Sequence, residues 1–167
     1  GGCKLLMRRA DLARLGAVQC PVLHLYREKE VGFVLRHTAS EFCITAGEWK
    51  GFDYRAMADS LAAAIDPSPT VLSVGDLPEG DPSMLPPAPD YPDGEEPIRW
   101  IYSTSGTTSD PKGVQHTDGT LYAGGKGLAD ALQMTSDDVG SIAFAFAHIA
   151  GPDYLIMMLI AGMSAVI

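Results

Sequence analysis

The sequence predicts an α/β fold: βαβ units forming a mostly parallel sheet with flanking helices. Three observations carry this expectation. Short strand-like runs recur at residues 42–45, 70–74, 98–102, 114–116 and 164–167. Segments of about 10 to 15 residues with apolar side chains at helical spacing alternate with them, the pattern of βαβ units. The run SIAFAFA at 141–147 is apolar on both faces, as a fully buried central strand should be.

Taken in order, Leu5, Leu12 and Leu15 share one helical face, and Gly16 stands where a helix end favours a left-handed residue. A short strand is expected over 17–25. Val31, Val34 and Leu35 recur at helical spacing among Arg27, Glu28, Lys29, Glu30 and Arg36, which reads as a surface helix. Beyond the strand at 42–45, Asp53 is the expected N-cap of a helix on which Met57, Leu61 and Ile65 lie one turn apart. Residues 70–74 form the next strand.

From 76 to 97 this pattern stops. Pro78, Pro82, Pro86, Pro87, Pro89, Pro92 and Pro97 oppose helix and central strand alike. Asp76, Glu79, Asp81, Asp90, Asp93, Glu95 and Glu96 repel one another, and no basic residue lies among them. The segment therefore reads as an extended, exposed linker. It separates a first α/β portion, residues 1–75, from a second, residues 98–167.

Order resumes with a strand at Ile98 that runs into a Ser/Thr/Gly loop. After a short strand at 114–116, Thr117 or Asp118 can cap a helix reaching about residue 133. Gly124, Gly125 and Gly127 would each weaken that helix by about 1 kcal/mol relative to alanine, so they are assigned to a close-packing face. Residues 135–138 turn the chain into SIAFAFA, which places His148 at a strand end, where open α/β sheets hold their ligand crevice. A helix over 153–162 and a strand beginning at Ser164 follow.

Composition bounds the function. With 167 residues there is room for one domain, and a net charge of −9 excludes nucleic-acid binding, which needs clustered Lys and Arg. Cys3, Cys20 and Cys43 show neither zinc nor disulfide spacing and read as reduced thiols of a cytoplasmic protein. No signal peptide is visible, and the apolar stretch 155–167 is about half the length of a transmembrane helix. The chain begins Gly-Gly and ends in a strand-like SAVI, so both ends read as cut, and oligomerisation through surface exposed there is expected.

The chemistry concentrates at residues 102–114, YSTSGTTSDPKGV. Ser103, Thr104, Ser105, Thr107, Thr108 and Ser109 place six hydroxyls in seven positions around Gly106, and Lys112 adds a mobile charge. Hydroxyls and uncovered N–H groups donate to phosphoryl oxygens, and glycine permits close approach of the main chain. A Walker-type loop is excluded because Gly113, not Ser or Thr, follows the lysine. A flexible linker is disfavoured because apolar strands flank the loop.

This run resembles the Y-T-S-G-T-T-G-x-P-K-G signature of the adenylate-forming enzymes: acyl- and aryl-CoA synthetases, firefly luciferase and the adenylation domains of peptide synthetases. It departs by one extra residue after Tyr102 and by Ser109 where glycine is commoner. Phe146-Ala147-His148-Ile149-Ala150-Gly151 looks like the F-x-H-x-x-G segment of the CoA-ligase branch. ARLGAV, YREKEVGFVLRHT and GEWKGFDYRAMA lean toward bacterial fatty-acyl or alicyclic acid ligases.

The resemblance implies part of a large N-terminal domain and a two-step reaction. A carboxylate attacks the α-phosphorus of ATP, and the thiol of coenzyme A then displaces AMP. It further implies that Thr104, Ser105, Thr107, Thr108 and Lys112 hold the phosphates, with Gly106 and Ser109 completing the nucleotide site and Thr107 nearest Mg2+. Lys112 and His148 are the catalytic candidates, His148 on the acyl side. ATP, Mg2+, coenzyme A as co-substrate and a small carboxylic acid are the implied ligands. The family's Y-G-x-T-E and T-G-D segments, hinge and C-terminal domain do not occur in these residues, so the polypeptide alone is expected not to complete the reaction. The competing reading is a truncated, non-catalytic piece that binds phosphate or a partner.

Overall fold

Two βαβ crossovers organise the chain, one in each of the two units into which it divides: His24–Leu85, and Gly1–Leu23 together with Pro86–Ile167. The computed structural model describes residues 12–76, 81–84, 86–87, 96–104 and 112–166. The fold is mixed α/β with parallel strands and flanking helices, as the sequence predicts.

In the His24–Leu85 unit, helix α1 (Glu28–His37) buries Val31, Val34 and Leu35, the three side chains whose spacing predicts it. Its first turn is closed by the Arg27 N–H donating to Glu30 Oε2 at 3.2 Å. Strand β1 (Phe42–Thr45) leads to a hairpin, β2 (Glu48–Trp49) and β3 (Phe52–Asp53). Lys50 and Gly51 both take positive φ at its tip, the backbone a two-residue turn demands. Asp53 caps helix α2 (Tyr54–Ala62) as expected, its carboxylate accepting the Ala56 N–H at 2.9 Å. Met57, Ala58 and Ala62 face inward. Strand β4 (Thr70–Ser73) then pairs parallel with β1, Phe42 opposite Thr70. Cys20, in the other unit, and Cys43 carry free thiols, and burial, followed by the Asp59 charge, pushes the Cys43 thiol above its ordinary value. Only short 3-10 turns, Val74–Asp76 and Pro82–Met84, mark the acidic stretch, whose remainder lies largely outside the described residues.

The other unit begins as the sequence suggests: Gly16 takes φ +77°, and its N–H donates to the Ala13 carbonyl at 3.0 Å. The strand expected over 17–25 reduces to a single bridge, Gln19 to Trp100. Pro21 lacks an N–H, so a ladder started at Gln19 cannot continue through it. Strand β5 (Trp100–Ser103) pairs antiparallel with β6 (Gly113–His116). Helix α3 (Asp118–Ala131) starts at Thr117, whose hydroxyl accepts the Thr120 N–H at 3.0 Å while Thr120 Oγ1 accepts the Thr117 N–H at 2.9 Å. Strand β7 (Val139–Ser141), helix α4 (Ala150–Ala161) and strand β8 (Ser164–Val166) form the second crossover. Gly162 ends α4 in the left-handed conformation, φ +70°.

The buried central strand expected at SIAFAFA is not present. Only Ser141 belongs to a strand, and Ala143, Phe144 and Ala145 are exposed. A central strand needs a ladder on both sides, and among the described residues β7 has β8 as its sole strand partner. Main-chain hydrogen bonds instead fold the run into turns, from His148 N to the Ala145 carbonyl at 2.9 Å and from Gly151 N to the His148 carbonyl at 3.0 Å. The helix expected over 153–162 accordingly starts three residues earlier, at Ala150.

The glycines of α3 separate by environment. A Cβ on Gly125 would lie 2.5 Å from Ile156 Cγ2, and one on Gly124 would lie 3.0 Å from Asp153 Oδ1, so both sit where α3 meets α4. Gly127 has nothing within 4 Å of such a Cβ, and its assignment to the packing face is corrected. Ala129, Met157 and Met158 form the buried cluster between these helices.

Candidate functional site

The hydroxyl-rich run is mounted on the β5–β6 hairpin. Successive pairs Trp100–His116, Ile101–Gln115, Tyr102–Val114 and Ser103–Gly113 lead to its base. There the Thr104 N–H donates to the Lys112 carbonyl at 2.9 Å. The Thr104 hydroxyl also lies 3.3 Å from the Lys112 nitrogen, whose N–H it accepts, and 3.4 Å from the Lys112 carbonyl. Thr104 and Lys112 are both exposed. Ser105, Gly106, Thr107, Thr108 and Ser109 lie outside the described residues. Gly113 is needed where it stands: a Cβ there would come within 2.8 Å of Ile101 Cγ2, across the hairpin.

Tyr102, buried at 4% exposure, sets its ring edge-on to His116 at 6.0 Å between centroids. The His116 carbonyl accepts the Arg99 N–H at 2.9 Å, so the far end of the hairpin is tied down as well. Two carboxylates fix the hairpin to α3. Glu96 Oε2 accepts the Thr117 hydroxyl at 2.6 Å and the Gly119 N–H at 3.0 Å, and Asp118 Oδ1 accepts the Trp100 indole N–H at 2.9 Å. An anion at the start of a 14-residue helix is also favoured by the helix dipole. By sequence Glu96 is one of the linker's acids. Nothing in its local context distinguishes it from Glu95; the contact spans 21 residues and exists only in the folded chain.

His148 lies on the turn before α4, exposed, not at the end of a buried strand. Its Nδ1 accepts the Ala150 N–H at 3.2 Å, an arrangement that puts the ring proton on Nε2. Gly151 explains itself sterically, since a Cβ there would lie 2.6 Å from the Ala145 carbonyl oxygen and 2.8 Å from Phe146 Cα. The structure therefore holds Phe146, His148 and Gly151 as one compact turn. Lys112 and His148 stand on separate elements of the unit, the hairpin and the turn before α4.

A cavity of about 630 Å³ is lined by Trp100, Tyr122, Phe146, Leu155 and Ile156, with Glu96 and Asp118 as the charged residues of its wall. Among the described residues neither Thr104 nor Lys112 lines it, and its two carboxylates would repel a polyphosphate.

Asp153, in the first turn of α4, is half-buried. Burial raises its carboxyl above the ordinary 3.8 and outweighs His116, which acts in the opposite direction. A raised carboxyl pKa means that the folded state disfavours the charge, so this residue costs stability as pH rises above about 4. Asp153→Asn should therefore melt at a temperature that gains on wild type as pH goes from 4 toward 7, and parallel melting curves across that range would refute it.

Residues 12–167 match the family described as AMP-binding enzyme. The chain belongs to that family. A long-chain-fatty-acid–CoA ligase of Mycobacterium tuberculosis, FadD13, is 27% identical over 157 residues, which cover 92% of this chain and 30% of that protein. A salicyl-AMP ligase/salicyl-S-ArCP synthetase from the same species is 28% identical over 160 residues, 88% of this chain and 27% of that protein. Among solved structures, ATP-bound MatB from Rhodopseudomonas palustris superposes with a TM-score of 0.75 at 20% identity, covering 98% of this chain and 32% of that one. At that identity the likeness is one of fold. As an AMP-binding enzyme sequence, the chain spans less than a third of the length of the curated relatives it matches. Among its described residues no helix is long and apolar enough to cross a membrane.

Proposed function

We propose that this chain carries the phosphate-binding loop and part of the acyl side of an enzyme that activates a carboxylic acid, fatty or alicyclic, with ATP and passes it to coenzyme A. The observation that carries this reading is the hairpin base at Thr104 and Lys112, which brackets the hydroxyl-rich run inside a family whose members include acid ligases. A carboxylate oxygen attacks the α-phosphorus, pyrophosphate leaves with the bonding pair, and the acyl-adenylate forms. The thiol then attacks the acyl carbon and AMP leaves. Ser105, Gly106, Thr107, Thr108, Ser109 and Lys112 serve the first step by offering donors and one cation to the β- and γ-phosphates, where negative charge collects.

Magnesium travels on the phosphates and needs few protein ligands. Among the described residues there is no cluster of three or more His, Cys, Asp or Glu side chains, and Thr107 is the residue we assign to it. His148 lines the acyl side in this reading, its ring held by the Ala150 N–H on Nδ1. This polypeptide alone completes neither step in our reading.

The test is to incubate the chain with ATP, Mg2+, labelled pyrophosphate and a panel of fatty and alicyclic acids, beside a calorimetric titration with ATP. Measurable ATP binding without exchange is the expected result. Robust acid-dependent exchange would overturn the incompleteness, and failure to bind ATP would overturn the phosphate loop. A polypeptide of the relatives' length, assayed with the same acids and coenzyme A, identifies the acid.

A further inference from the structure

The resemblance implies Thr104 as a direct phosphate ligand. The geometry points to a different role: we propose that Thr104 is a positioning residue whose hydroxyl clamps the main chain of Lys112 and so fixes the root of the lysine side chain. This deepens the phosphate-loop reading above and rests on it.

Antiparallel pairing runs regularly from Trp100–His116 to Ser103–Gly113, and the next rung is irregular. The Thr104 N–H still donates to the Lys112 carbonyl at 2.9 Å. The returning bond does not go to the Thr104 carbonyl: the Lys112 N–H, 3.3 Å away, is accepted by the Thr104 hydroxyl. The same hydroxyl lies 3.4 Å from the Lys112 carbonyl, to which it can turn its proton. One side chain thus closes the neck of the hairpin on both polar groups of Lys112. A β-branched residue is suited to this position, because its restricted χ1 holds the hydroxyl in place at little entropic cost. The neck also has a firm base, since Gly113 packs against Ile101 with no room for a Cβ. A lysine side chain is long and rotatable, so where its ammonium can reach depends on where its Cα is held.

The experiment compares wild type with Thr104→Val, which keeps the branched shape and loses the hydroxyl, and with Thr104→Ser, which keeps the hydroxyl. Thr104→Ala is a second hydroxyl-free variant should valine disturb the strand. Two quantities are read on the chain itself: hydrogen exchange of the Lys112 amide by NMR, and the affinity for ATP by calorimetry. The loss of one hydrogen bond predicts that valine speeds exchange about fivefold and weakens ATP by a similar factor. Serine restores both. Unchanged exchange in Thr104→Val overturns the clamp. Weakened ATP binding with unchanged exchange also overturns it, since the hydroxyl would then touch the nucleotide directly. If wild type does not bind ATP, the phosphate reading fails and the exchange measurement alone decides whether the clamp exists.

Discussion

Lys112→Ala is expected to weaken ATP binding by about 10- to 100-fold, the factor that corresponds to losing one charge-assisted hydrogen bond to a phosphate. The expectation follows from where the lysine stands. It begins at the end of a four-pair antiparallel ladder, tied by a 2.9 Å main-chain bond, and its side chain is exposed. In the proposed site a cation rooted there adds its charge to the donors of the loop, with the main chain that carries it already fixed. Lys112→Arg should retain part of the affinity, because it keeps the charge but replaces a compact ammonium with a planar fork. Raising the salt should narrow the gap between wild type and alanine, as screening weakens an exposed charge. Calorimetric titration at two ionic strengths checks all three. An alanine variant that binds ATP within about twofold of wild type would remove Lys112 from the site.

The second large effect concerns stability. Gly125→Leu is expected to destabilise the chain by about 3 kcal/mol, because overpacking of this kind forces side chains and backbone apart. A Cβ at this position would lie 2.5 Å from Ile156 Cγ2, 2.7 Å from Ile156 Cβ and 3.0 Å from the Met157 nitrogen, and the last of these is backbone that cannot swing away. Gly125→Ala should show the conflict in milder form: alanine contributes about 1 kcal/mol of helix propensity, and the clash outweighs it. Gly127 is the internal control, two residues along the same helix with open space around it. There alanine should stabilise by about 1 kcal/mol. Urea unfolding of the three variants should rank them Gly127→Ala, wild type, Gly125→Ala, Gly125→Leu from most to least stable. A Gly125→Leu midpoint at or above wild type would show that the two helices do not meet as described.

These glycines illustrate how far sequence reading reaches. Gly124, Gly125 and Gly127 look alike in the chain, each a costly residue inside a helix. Only their angular position against α4 separates two contact glycines from one that faces open space. SIAFAFA makes the same point for strands. Its alternation satisfies both faces of a buried strand, yet only Ser141 of it belongs to one. Glu96 was likewise invisible as a structural residue, because its partners Thr117 and Gly119 come from across the hairpin.

What the sequence by itself determined is the local chemistry. Asp53 and Thr117 announce helix starts because a short oxygen-bearing side chain can reach an N–H two or three residues ahead. Gly16 ends its turn because only glycine takes a left-handed φ without strain. The order of hydroxyls before lysine between 103 and 112 separates this loop from a Walker design, whatever surrounds it. Tertiary structure decided the partnerships: β1 with β4, β7 with β8, Gln19 with Trp100, and the Thr104 hydroxyl with the main chain of Lys112. The reason is physical. A cap or a turn is satisfied within a few residues, whereas a ladder or a packed face needs a second segment, and nothing local to either states which one it will be.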